Sequence, residues 1–102
     1  MIGKYESMII LAPNMSNDEL ENENKKVLNL VNQLGGEFIK TDNWGKKQLA
    51  YEIQKFREGH YLINYFKLDT QKIHELDRHY RLTEKIIRHN IIKLDAFEQE
   101  IK

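Results

Sequence analysis

The side chains with the chemistry to act on a substrate or hold a metal are four histidines and many carboxylates. His74 and His79 stand five positions apart on a stretch of helical periodicity, a spacing that turns the two imidazoles away from each other. No HExxH pattern, glycine-rich phosphate loop, nucleophile elbow or cysteine nucleophile occurs. Nothing in the spacing brings two carboxylates into one apolar pocket, as general acid–base work requires. The expectation is a protein without metal, cofactor or small-molecule substrate, and not an enzyme.

Binding chemistry concentrates in Asn43-Trp44-Gly45-Lys46-Lys47-Gln48-Leu49-Ala50-Tyr51-Glu52-Ile53. Gly45 frees the backbone just before the lysine pair, so Lys46 and Lys47 should project from an exposed corner. Two cations beside an exposed Trp44 suit a phosphate backbone with a nearby base or sugar. The plainer alternative is a hairpin corner whose lysines serve solubility alone. Beyond the corner, Leu49, Tyr51 and Ile53 alternate with Gln48, Ala50 and Glu52, which is strand periodicity.

These residues need elements to position them, and 102 residues suffice for one domain with a modest core. Tyr5 to Ala12 reads as a strand with apolar groups on both faces, hence a central one. Ser16 and Glu19 have capping-box spacing. Leu20, Val27, Val31 and Leu34 follow at helical offsets, and Gly35-Gly36 ends that helix. Glu37 to Ile53 is a second strand through the Trp44-Gly45 corner. Glu58-Gly59 is expected to turn the chain into a third strand, His60 to Leu68. Thr70 is expected to cap a second helix carrying Ile73, Leu76 and Tyr80, with Asp77 and Arg81 spaced to pair. Ile86 to Leu94 is a fourth strand, and 95–102 reads as a polar tail beyond a domain spanning 1–94.

This order, two split βαβ halves, implies an α+β, ferredoxin-like βαββαβ fold. Right-handed crossovers place both helices on one face of a four-stranded antiparallel sheet. The other face would leave Tyr61, Ile63, Tyr65, Met8 and Ile10 uncovered, an aromatic-rich patch of the kind that marks a partner surface.

Net charge is zero, which argues against nucleic-acid binding by bulk electrostatics. The distribution is uneven, however. Lys46, Lys47, Lys55 and Arg57 form one basic neighbourhood, and Arg78, Arg81, Lys85, Arg88 and Lys93 a second. No apolar run approaches the roughly 20 residues of a membrane span, so no membrane partner is expected. The absence of cysteine suits a reducing cytosol.

Gly45-Lys46-Lys47-Gln48-Leu49-Ala50-Tyr51-Glu52-Ile53 resembles the signature of the bacterial small-subunit ribosomal protein S6 family. The likeness extends to Lys4-Tyr5-Glu6, Trp44-Gly45, Gly59-His60-Tyr61 and Ile86-Ile87-Arg88. Glu52 departs from it, standing where the family generally has proline. The resemblance implies the same ferredoxin-like fold and a structural role in the small ribosomal subunit, in the cytoplasm. It also implies binding to the central domain of small-subunit ribosomal RNA, together with ribosomal protein number eighteen. Lys46, Lys47, Arg88, Arg81 and Trp44 are then the RNA candidates. Tyr61, Ile63, Tyr65, Met8 and Ile10 are the candidates for the protein partner. The alternatives are a freestanding single-strand RNA module stacking bases on Tyr61 and Tyr65, and a small enzyme or ligand sensor on the same common fold.

Overall fold

The computed structural model describes residues 1–94; the expected tail, 95–102, lies outside the described residues. Strand β1 (Ile2–Leu11) leads to helix α1 (Asn17–Gln33) and then to two long strands, β2 (Glu37–Ile53) and β3 (Phe56–Asp69). A 3₁₀ turn (Thr70–Lys72), helix α2 (Ile73–Leu82) and strand β4 (Ile86–Leu94) complete it. The sheet order is β2-β3-β1-β4, with each neighbouring pair antiparallel. β1 and β3 are therefore the central strands, as their two-sided apolar character requires. The fold is the ferredoxin-like βαββαβ.

Local chemistry explains the ends of α1. The Ser16 hydroxyl accepts from the Glu19 amide at 3.2 Å, and the Glu19 carboxylate accepts from the Ser16 amide at 3.0 Å. At the far end Gly35 has φ +82, and the Gly35 and Gly36 amides donate back to Asn32 and Val31. That pair of bonds needs a left-handed residue, which glycine supplies without a Cβ clash.

Both helices cover one side of the sheet. Leu20, Val27 and Val31 of α1 and Leu76 and Tyr80 of α2 pack on Tyr5, Ile9, Leu11, Leu62, Phe66 and Leu68. A polar row crosses this core: Thr41 opposes Asn64, which opposes Ser7. Each helix sends it one group. Asn24 of α1 closes a ring with Thr41 and Asn64, and Tyr80 of α2 meets Ser7 at 2.7 Å. Burial pushes the Tyr80 hydroxyl up to about 12, with its Ser7 and Asn64 hydrogen bonds opposing. Buried polar groups cost stability unless paired, so this row fixes where each helix sits.

Two expected boundaries are corrected. The β2–β3 turn is not at Glu58-Gly59, because Gly59 lies inside β3 opposite Lys47. The chain reverses at Gln54 and Lys55, both with positive φ, between the paired Ile53 and Phe56. A two-residue loop of that hand matches the twist of the flanking strands. Nor does Thr70 cap a helix. The Asp69 carboxylate accepts from the Gln71 amide at 3.0 Å and opens the 3₁₀ turn, while α2 starts at Ile73 without a side-chain cap.

Candidate nucleic-acid and partner interface

β1 pairs with β3 only as far as Leu11 and His60, whereas the β2–β3 hairpin continues to its tip at Gln54-Lys55. The outer hairpin is an arm that outruns the sheet. Its base is shaped at Trp44-Gly45. Trp44 is the extra residue of a bulge between Asn43 and Gly45, and Gly45 has φ +80. The Asn43 side-chain oxygen accepts from the Gly45 amide at 2.9 Å and meets His60 Nε2 at 2.9 Å. The bulge re-aims Trp44 outward, leaving it 54% exposed.

The arm folds back over the side of the sheet that the helices leave open. A Cβ on Gly59 would lie 2.3 Å from Ile10 Cγ2, so glycine is what lets this strand lie against Ile10, with Ile87 alongside. Further out, the Tyr51 hydroxyl accepts from Arg88 of β4, with the guanidinium carbon 5.4 Å from the ring centroid. β2 and β4 are opposite edges of the sheet, so this contact spans its full width.

The lysine pair is exposed, as expected, but its members diverge. Lys47 opposes Gly59 and shares the open side with Arg88, whereas Lys46 opposes His60 and turns toward the helix side. Burial, and then the Lys46 charge, lower the His60 imidazole from its ordinary value. Gly45, Tyr61, Ile10 and Arg88 form one row across four strands. At three strand spacings the lysine corner and Arg88 are separated by roughly 14 Å, at the same end of the sheet. Arg81 is not brought to that group: it sits on α2, bonded to Asp77 at 3.0 Å.

The open side is less bare than its alternation implies. Ile10 and Ile63 are each only 3% exposed, which corrects the expectation that they stand uncovered. The arm at Gly59 and the flanking half-buried Tyr61, Tyr65 and Met8 account for the difference. Lys40 lies over the Tyr65 ring at 5.1 Å. Burial and then the Glu6 and Asp42 charges raise the Tyr65 hydroxyl. Ile92, which shares this side through its partner Glu6, is exposed. Sequence reasoning missed it, although the alternation within β4 carried the signal. Tyr51 was missed as well, read only as a strand residue.

The histidines are dispersed. His60 is held by Asn43 and His89 by Asp77, His74 is exposed, and His79 is half-buried with burial lowering its proton affinity. Among the described residues no three His, Cys, Asp or Glu side chains converge as a metal site. A groove of about 430 Å³ runs between α1 and β2, lined by Leu20, Asn24, Leu28, Thr41 and Leu62 among others. Its titratable lining is Glu21 and Lys25, one of each sign rather than a carboxylate pair. Among the described residues no helix is long and apolar enough to cross a membrane.

Residues 4–93 match the family described as Ribosomal protein S6. The chain is 39% identical over 95 residues to small ribosomal subunit protein bS6 of Carboxydothermus hydrogenoformans, covering 93% of this chain and 99% of that one. It is 40% identical to the bS6 of Clostridium acetobutylicum, covering 92% and 99%. The crystal structure of 30S ribosomal protein S6 from Thermotoga maritima superposes with a TM-score of 0.86 at 38% identity, covering 92% and 89% of the two chains. With its βαββαβ topology matched across nearly its whole length, the chain belongs to the ribosomal protein S6 family, as a structural and non-enzymatic protein of the small ribosomal subunit in the cytoplasm.

Proposed function

We propose that the chain binds the central domain of small-subunit ribosomal RNA jointly with ribosomal protein number eighteen, using two parts of one surface. Lys46, Lys47 and Arg88, with Trp44 beside them, meet RNA. The half-covered strip of Tyr61, Tyr65 and Met8 over Ile10 and Ile63 docks the protein partner. Arg81 is a lesser contact, reached from the helix side. The observation that carries this reading is the gathering of exposed cations at one end of a sheet whose open side presents the half-buried Tyr61, Tyr65 and Met8.

Phosphate contacts from lysine and arginine supply position and salt dependence rather than base identity. A chain of zero net charge has little bulk attraction for RNA. Prior assembly with a basic partner adds cationic surface and removes part of the ordering cost. The freestanding stacking module fits less well, because the Tyr65 ring already carries Lys40.

Filter binding to a central-domain transcript, with and without the partner protein, tests this. Much tighter binding in the partner's presence is expected. Equal affinity in both titrations overturns the joint mode.

A further inference from the structure

We infer that Tyr51 and Arg88 form a composite phosphate clamp, with the arm holding the guanidinium and the phenol offering the same phosphate a second donor. This rests on the RNA-binding reading above and deepens it.

The geometry is specific about hydrogen-bond roles. Arg88 donates one Nη1–H to the Tyr51 oxygen. Accepting that bond leaves the phenolic proton free to donate outward, while the guanidinium keeps four further N–H groups. Both side chains are exposed, Tyr51 by 59%. The ring face also lies against the cation, which confines Arg88 in a second way.

Two of the other arginines are held differently. Arg57 faces Glu52 at 3.6 Å and Arg81 faces Asp77 at 3.0 Å, so a carboxylate offsets each positive charge. Among the described residues, Arg88 is held by a neutral phenol, which orders it without cancelling its charge. That combination suits an anion: the side chain is placed in advance and its full charge stays available. A phosphodiester oxygen that meets both the guanidinium edge and the phenol O–H gains two donors fixed on different strands. The arm also makes the clamp conditional, because Tyr51 reaches Arg88 only when the hairpin lies across the sheet. Tyr51 is thus both a phosphate contact and the positioning residue for Arg88.

The test uses the intact chain with its partner protein, binding a central-domain transcript over a range of salt. Arg88→Ala is expected to weaken binding about tenfold and lower the salt slope by about one phosphate equivalent. Tyr51→Phe keeps the ring and loses the hydroxyl, so affinity should fall roughly threefold to tenfold at an unchanged slope. Tyr51→Ala should weaken binding less on top of Arg88→Ala than it does in the wild-type chain, because only the phenol's own contact is left to lose. In the free protein, the ¹⁵N-detected Arg88 guanidinium should rotate faster in Tyr51→Phe while backbone amide shifts of the arm stay in place. If Arg88→Ala weakens binding but both Tyr51 variants match wild type, the clamp is overturned and the RNA reading stands. If Tyr51→Phe loses affinity only with wholesale shifts in the arm, the hydroxyl is structural and the clamp is likewise overturned. If Arg88→Ala and the Lys46/Lys47 double variant both bind as wild type, the RNA reading itself falls and takes the clamp with it.

Discussion

The two sides of the sheet treat polar groups in opposite ways. On the helix side, Ser7, Asn64, Thr41, Asn24 and Tyr80 are satisfied among themselves beneath two helices. On the open side, Arg88, Lys47 and the Tyr51 hydroxyl stand at the surface, and the apolar residues between them are covered by glycine-thin backbone and half-buried rings. The first arrangement spends its hydrogen bonds on specifying one packing. The second leaves donors and apolar area for other molecules. The same alternation along β3 feeds both sides, so neighbouring residues should differ in what they control.

Phe66 and Tyr65 make the sharpest pair. Phe66→Ala should cost about 3–5 kcal/mol in urea denaturation, since it empties a fully buried ring site against Tyr5. Tyr65→Ala should cost about 1 kcal/mol yet weaken partner docking in a pull-down titration. Equal stability losses at the two positions would erase the distinction between the sides.

A smaller effect is expected at the arm's tip. Gln54 and Lys55 hold left-handed φ values of 50 and 72, where side chains with a Cβ are strained. Replacing them with Asn and Gly should raise stability by about 1 kcal/mol, measured from the denaturation midpoint at unchanged slope. A neutral or negative change would mean that the arm's contacts, not the turn, set this conformation.

Smallest is a pH effect on the helix side. Glu19 is held down to about 2, chiefly by the hydrogen bond from Lys85 at 2.8 Å and then by those from Ser16. A carboxyl lowered on folding stabilises the native state fully above its ordinary value of 4.5, and that contribution fades as pH falls toward about 2. The stability gap between wild type and Glu19→Gln should therefore be constant above about pH 5 and close on acidification. A gap that persists at the acid end contradicts the pairing.

Much of this architecture was readable from the residues. The Ser16/Glu19 capping box, the Gly35-Gly36 stop and the two-sided apolar pattern of β1 are local signals, and each corresponds to an element found. The hairpin turn was not readable, because Gln54-Lys55 carries no Gly, Asn or Pro; strand pairing imposes the positive φ. Gly59 looked like a turn residue for the same reason in reverse, since a glycine needed for close approach resembles one needed for reversal. Alternation assigned Ile10 and Ile63 to the open side correctly, but a period of two says nothing about an arm folding over that side. Asn64, the polar interruption of the Leu62-Phe66-Leu68 stripe, was the available sign of the buried row. Lys46 and Lys47 were readable as exposed, but the side each one faces was not, because the bulge at Trp44 resets the alternation ahead of them. The Tyr51–Arg88 contact joins residues far apart in sequence and had no local signature at all.

The central claim, that this end of the sheet meets RNA, is tested most directly by the salt dependence of assembly. With the partner present, a Lys46→Ala/Lys47→Ala variant that melts like wild type should bind a central-domain transcript more weakly. Its log–log salt slope should be shallower by about 1.5–2. Unchanged affinity with an unchanged slope would mean that the lysine corner faces solvent in the assembled subunit and that the cations found here are not the ones RNA uses.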